Sequence, residues 1–158
     1  MQESEFLKAA EASHKKFADH TGLEYLRAVI ADSSNYPFGK LLNMQVVAAS
    51  DGIAELTATP SYQHYNPMFR VHGGYLATLM DSVLGSAVLT KLPRGSGAGT
   101  VNLNVNYVRK VDVESGVLTA RAKVLHSGRS MLTATAEITD AAGKLCVHGT
   151  GTFLIYLK

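Results

Sequence analysis

The segment from Gly73 to Thr90 reads GGYLATLMDSVLGSAVLT, and Asp81 is its only charged residue. Its pattern predicts a helix, and a helix that is apolar on nearly every side has to be enclosed by the rest of the protein. Leu76, Met80, Val83 and Leu84 supply bulk, whereas Gly74, Ala77, Thr78, Asp81, Ser82 and Gly85 keep one flank small. That small flank lets a strand or a second subunit come close.

The material able to enclose such a helix reads as strands. From Thr100 the period changes to two, with Val101, Leu103, Val105 and Tyr107 alternating with Asn102, Asn104 and Asn106. Strands are also expected over residues 43–49 and 53–59, joined at Asp51-Gly52, a dipeptide that takes the positive φ angles of a tight hairpin. Three more are expected over residues 117–125, 131–138 and 145–157, separated by His126-Ser127-Gly128 and by a turn from Asp140 to Gly143. About six strands with short connections give one antiparallel sheet, with the helix on its concave face, an α+β architecture. Upstream, Phe6, Ala9, Ala10, Ser13 and Phe17 recur at helical spacing, and a second short helix is expected over residues 23–31, before Ser33, Ser34, Asn35 and Pro37. The whole of residues 1–158 then forms one domain, with residues 1–40 as an N-terminal helical extension.

Composition narrows the function. Hydrophobic residues make up 46% and charged residues 18%, too apolar for a disordered chain. The formal charge is +2, and the basic residues Lys8, Lys40, Lys91, Arg109, Arg121 and Arg129 are dispersed, so no nucleic-acid partner is expected. Lys15 and Lys16 lie beside Asp19, which suits the solvated side of a helix better than a membrane anchor. No window approaches the roughly 18 uninterrupted apolar residues of a spanning helix. The start, MQESEFLKAAEASHKK, lacks the apolar stretch of a secretory signal, and a lone Cys146 excludes an intramolecular disulfide, so the expected location is cytoplasmic. Cys146, between Leu145 and Val147, reads as a small hydrophobe.

Asp81 is the residue that most needs a reason, because an unpaired buried carboxylate costs several kcal/mol by an order-of-magnitude reckoning. Two readings stand: a structural Asp bonded to the backbone, Thr78 or Ser82, or a functional carboxylate. Gly73 and Gly74 open the helix after Asn66-Pro67-Met68-Phe69-Arg70-Val71-His72. They either permit a sharp turn or bring bare N–H groups at the positive end of a helix against a carbonyl oxygen, in outline an oxyanion hole. His64 and His72 have no nearby cysteine or paired acid, so no metal site is expected. Gly95-Ser96-Gly97-Ala98-Gly99 precedes a strand, whereas a dinucleotide fingerprint needs a following helix, and it reads as a flexible loop. Serine-hydrolase elbows and Walker motifs are missing from the sequence.

Taken as a block, NP…VHGGYLATLMDSVLGSAV resembles the hot-dog-fold acyl-CoA thioesterases, above all the phenylacetyl-CoA thioesterase type. The strand TVNLNVNYVR, the turn HSGRS and the ending ITDAAGKLCVHGTGTF extend the likeness over roughly residues 42–156. The resemblance implies a sheet wrapped around one long helix and hydrolysis of an aryl- or medium-chain acyl-CoA without a cofactor, coenzyme A being part of the substrate. It makes Asp81 the catalytic base or nucleophile and the Gly73 amide the oxyanion donor. Asn66 and His72 become polar groups that hold the thioester or the water, and Thr100 a residue that orients water. It also implies a homodimer, paired into a tetramer, in which Asn66 and His72 face Asp81 and Thr100 of the partner. Gly74, Phe69, Arg70 and Tyr75 are the expected substrate contacts. Arg109, next to Lys110, and the turn Gly128-Arg129-Ser130 are the expected grip on coenzyme A, although exposed turn charges are common for other reasons. Met80 and Leu84 join Tyr75 and Phe69 as candidate liners of the acyl pocket. Phe69 and Arg70 depart from the family, which commonly has a small residue such as Gly followed by a small or polar one. Two other functions remain open: a hydratase or dehydratase of acyl thioesters on the same fold, and a non-catalytic acyl-CoA or lipid binder.

Overall fold

The structure, a computed structural model, describes residues 11, 15, 18–32 and 36–157. Most of the amphipathic helix expected over residues 4–20 lies outside the described residues. The second expected helix is present as α1 (Gly22–Ala31), and it starts at Thr21 for a local reason. The Thr21 hydroxyl accepts from the Glu24 amide at 3.3 Å while the Glu24 carboxylate accepts from the Thr21 amide at 2.8 Å, a reciprocal capping box. A short helix, α2 (Pro37–Leu41), leads into the hairpin β1 (Met44–Ser50) and β2 (Ile53–Ala58). Gly52 in its turn has φ +73°, as the Asp-Gly pair predicts.

The long helix follows as α3 (Gly73–Leu89), and then come β3 (Ser96–Tyr107), β4 (Leu118–Ser127), β5 (Met131–Thr139) and β6 (Leu145–Leu157). The six strands form one sheet in the order β1-β2-β4-β5-β6-β3, antiparallel throughout. The sheet packs around α3 in the α+β hot-dog arrangement that the resemblance implies. Leu79, Met80, Val83, Leu84, Ala87 and Val88 of α3 are all 0% exposed and meet Leu56, Leu118, Leu132 and Ile138 from the strands in one buried cluster. Each large side chain buried this way contributes about 1.5–3 kcal/mol. Two glycines of β6 allow the close approach. A Cβ on Gly151 would lie 3.2 Å from Leu84, and one on Gly149 would lie 3.4 Å from the Met80 sulfur.

Two expectations about β3 need correction. The Gly95–Gly99 run is not a flexible loop, because β3 begins at Ser96 and pairs with β6 from its first residue. Its glycines serve cross-strand packing: a Cβ on Gly97 would sit 2.4 Å from the Tyr156 ring. The simple alternation from Thr100 also fails, since the β3–β6 register shifts between Thr100 and Asn102. Val101 occupies this bulge and is 55% exposed, while Leu103 and Val105 turn toward the core. Smaller shifts occur at β4, which runs through His126 and Ser127 and moves the turn to Gly128–Ser130. Among the described residues no helix is long and apolar enough to cross a membrane.

Candidate active site

The loop before α3 is organised by Asn66. Its side-chain oxygen accepts from the amides of Met68 at 3.0 Å and Arg70 at 3.2 Å, and its own amide donates to the Arg70 carbonyl at 2.8 Å. These bonds close a tight turn and hold Phe69 at φ +54°, a left-handed conformation that costs a bulky residue about 1–2 kcal/mol. The preference for a small residue such as Gly at this position thereby has a physical reason. Phe69 and the neighbouring Met68 are 74% and 78% exposed. Arg70 turns back to donate to the Phe69 carbonyl at 2.7 Å.

At the start of α3, His72 is the N-cap. Its Nδ1 accepts from the Gly74 amide at 2.8 Å, and its own amide donates to the His64 carbonyl at 2.8 Å. Gly74 is therefore occupied. Gly73 sits at the first helical position, where an N–H has no intrahelical acceptor, and no partner occurs for that N–H among the described residues. The carbonyl of Gly73 accepts from the Tyr107 hydroxyl at 2.9 Å. An open groove of about 340 Å³ adjoins this point, lined by Arg70, Val71, Gly73, Leu76 and Tyr107 together with the following residues Val108 to Val111. Arg109, in that wall, is anchored by its Nε, which donates to the Leu145 carbonyl at 3.2 Å.

Asp81 belongs to a different place. It is half-buried on the small flank of α3, not sequestered inside the protomer, and its Oδ1 accepts from the Thr100 hydroxyl at 2.9 Å. The expected structural partners Thr78 and Ser82 do not take it up: the Thr78 hydroxyl donates to the Gly74 carbonyl, and the Ser82 carbonyl accepts from Ser86. Eight residues separate Gly73 from Asp81 along α3, about 12 Å at 1.5 Å per residue. A carbonyl group cannot contact both within one protomer.

The remaining candidates divide between these two places. Gly128, Arg129 and Ser130 lie in the β4–β5 turn, where the Ser130 carbonyl accepts from the Ile155 amide. Arg109 pairs through its amide with Cys146 at the other end of β6, nine residues or about 30 Å of strand away. The structure therefore does not bring Arg109 and Arg129 together within a protomer. Thr100 pairs with Phe153, so Asp81, Thr100 and the 128–130 turn share one end of the sheet, while Asn66, His72, Gly73, Tyr107 and Arg109 share the other. Tyr75, Met80 and Leu84 are corrected as pocket liners. Met80 and Leu84 are in the core, and Tyr75 is 6% exposed with its hydroxyl donating to the Leu42 carbonyl at 2.9 Å. Burial pushes the Tyr75 phenol up to about 12. His64 stacks on Tyr75 with ring centroids 4.2 Å apart, and its Nδ1 accepts from the Ser61 amide, while burial holds its pKa below the ordinary value. The described residues contain no cluster of His, Cys, Asp and Glu able to hold a metal ion. Tyr107 is the residue that sequence reasoning left out of the site; its alternation with Leu103 and Val105 gives its face, but its hydroxyl contact with the Gly73 carbonyl crosses 34 residues and has no local signal.

The thioesterase superfamily matches residues 70–147, a span that opens at Arg70 and contains Gly73, Asp81 and Thr100. Human acyl-coenzyme A thioesterase 13 is 30% identical over 109 residues, covering 68% of this chain and 76% of that protein. The mouse counterpart is 33% identical over 92 residues, 57% of this chain and 64% of that protein. The solved structure of a phenylacetic acid degradation-related protein from Ralstonia eutropha JMP134 superposes with a TM-score of 0.74 at 26% identity, over 82% of this chain and 98% of that one. By sequence match and by fold, this chain belongs to the thioesterase superfamily.

Proposed function

We propose that the protein hydrolyses an acyl-CoA to the free acid and coenzyme A at a site shared between two protomers. The observation that carries this reading is the separation of the Asp81–Thr100 pair from the unpaired Gly73 amide along one rigid helix. Two protomers related by a two-fold axis would each lend one half, giving two equal composite sites. The water that attacks the thioester carbon loses its proton to Asp81, oriented by Thr100, or Asp81 attacks first and water resolves the anhydride. In either course the Gly73 amide stabilises the oxyanion and the sulfur departs as the thiol. Asn66 shapes the loop, and His72 secures the Gly74 amide so that Gly73 is the donor left available.

Several features support an assembly of this kind. β3 is an edge strand of 12 residues with one side unpaired, and long free edges are ready to pair with another strand. Val101 and Tyr107, both more than half exposed, lie along it. The small flank of α3 is only partly covered, with Gly74 exposed and Ala77, Thr78, Asp81 and Ser82 half-buried, which suits a dimer and its further pairing into a tetramer. Coenzyme A would run along the groove beside Gly73, with Arg70, Arg109 and Lys110 for its phosphates and the partner's 128–130 turn as a second contact. Phe69 and Gly74 are chain neighbours of the lining residues Arg70 and Gly73, and an aryl or medium-chain acyl group would enter beside them. The buried free thiol of Cys146 is in keeping with a cytoplasmic setting.

A hydratase would need a histidine beside the carboxylate, whereas the Asp81 side chain is bonded to Thr100, and His64 and His72 are engaged through Nδ1 near the start of the helix. A purely binding protein has no use for Asp81 and Thr100 as a pair. The deciding experiment measures thiol release from a panel of aryl and fatty acyl-CoAs, with wild type and Asp81→Ala side by side. Wild type should turn over at least one aryl or medium-chain substrate, and the variant should lose about 10² to 10⁴ in kcat while still binding acyl-CoA. Equal rates in the two proteins would remove Asp81 from the mechanism.

A further inference from the structure

We propose that Tyr107 is a positioning residue for the oxyanion donor, holding the Gly73 peptide at the angle the thioester carbonyl requires; this rests on the function proposed above. Two glycines in succession open α3, and glycine carries the greatest backbone freedom of any residue. The first turn of a helix has few internal hydrogen bonds to restrain it. A donor placed there needs anchors from outside the helix.

Three contacts supply them. The His72 amide is tied to the His64 carbonyl and the Gly74 amide to His72 Nδ1, which fixes the residues on either side. The third contact is the Tyr107 hydroxyl, which donates to the Gly73 carbonyl at 2.9 Å. Its ring also lies against the same residue: a Cβ on Gly73 would stand 3.4 Å from Tyr107 Cζ and 3.5 Å from its oxygen. Tyr107 thus restrains Gly73 by a hydrogen bond and by contact, while Gly73 lines the groove and its N–H has no partner among the described residues. Tyr107, the last residue of β3, lies in unbroken register with Leu103 and Val105, the two residues of this strand that turn toward the core. The ring is 52% exposed, so it does little for the core, and a conservative change leaves the fold intact.

Tyr107→Phe keeps the ring and deletes the hydroxyl. Losing an oxyanion donor altogether costs ~10² to 10³ in rate, and losing its alignment should lower kcat by about tenfold with KM within about twofold. Two unreactive CoA analogues provide a readout that a merely structural role would not move: a ketone in which a methylene replaces the thioester sulfur, and a thioether with no carbonyl. The variant should lose affinity for the ketone by several-fold and keep its affinity for the thioether. Wild-type kcat in Tyr107→Phe, or equal weakening of both analogues, overturns the role of Tyr107 while an active wild type and an inactive Asp81→Ala leave the composite site standing. A wild type that releases no thiol from any acyl-CoA defeats the reading beneath it, and the Tyr107 proposal with it.

Discussion

The two ends of α3 are built on opposite plans. At the C-terminal end Thr90 is buried, its hydroxyl donating to the Ala87 carbonyl at 2.6 Å and accepting from the Gly52 amide at 2.8 Å. Polar groups are satisfied there, and the helix end is locked to the β1–β2 hairpin. At the N-terminal end the Gly73 amide has no partner among the described residues, Phe69 is held in a left-handed conformation, and two large apolar side chains stand in water. Strain and unpaired groups persist only where the surroundings impose them, and they concentrate at functional sites. The contrast is between a helix end whose polar groups are satisfied and one that leaves a donor open.

Substitutions at each end can break that contrast or sharpen it. The largest effect on stability is expected from Thr90→Val, which leaves the Gly52 amide buried without an acceptor and should cost about 1–3 kcal/mol in denaturant unfolding. Its kcat should match wild type under folding conditions, and a matching loss of kcat would erase the division between the ends. Phe69→Gly should act in the opposite direction. Relief of the left-handed strain, about 1–2 kcal/mol, outweighs the extra chain entropy of glycine, so thermal melting should rise while KM for acyl-CoA rises several-fold. A variant that melts lower would show that the loop imposes no strain on Phe69. The smallest effect concerns His64, whose folded pKa is lowered by burial. The unfolded chain then binds more protons in the window from the ordinary histidine pKa down to the lowered one, so stability falls as pH falls through that window. His64→Gln should flatten this slope in unfolding curves measured between about pH 7 and pH 5; an unchanged slope would assign it to other groups.

How far the sequence could be read differs between these regions for a physical reason. The interior of α3 was fully legible, because an apolar period of that length has one solution, enclosure by a sheet. The hairpin at Asp51-Gly52 and strand β6 were legible for the same local reasons, turn chemistry and alternation. At the candidate site, the Gly73-Gly74 pair and Asp81 could be singled out by residue type, two glycines at a helix start and a charge in an apolar run; only the family resemblance picked Gly73 from the pair. Tyr107 could not. In an unbroken strand Thr100 and Tyr107 would face opposite sides, and one bulged residue puts both toward α3, one on Asp81 and the other on Gly73. Nothing in the alternation of valines and asparagines announces that extra residue. The burial of Tyr75 was hidden likewise, since a tyrosine near a site reads the same whether its hydroxyl meets substrate or, as here, the Leu42 carbonyl.

The sequence by itself determined the long helix and most of the strands, that this helix lies at the centre, and that a glycine pair and a lone charge on it carry chemical interest. These follow from periodicity and from the cost of placing glycine or charge in regular apolar structure. Tertiary structure alone decided that Thr100 and Tyr107 share the side of β3 that faces that helix, and that their hydroxyls meet Asp81 and the Gly73 carbonyl. Those outcomes depend on contacts between residues dozens of positions apart, and no local preference encodes them.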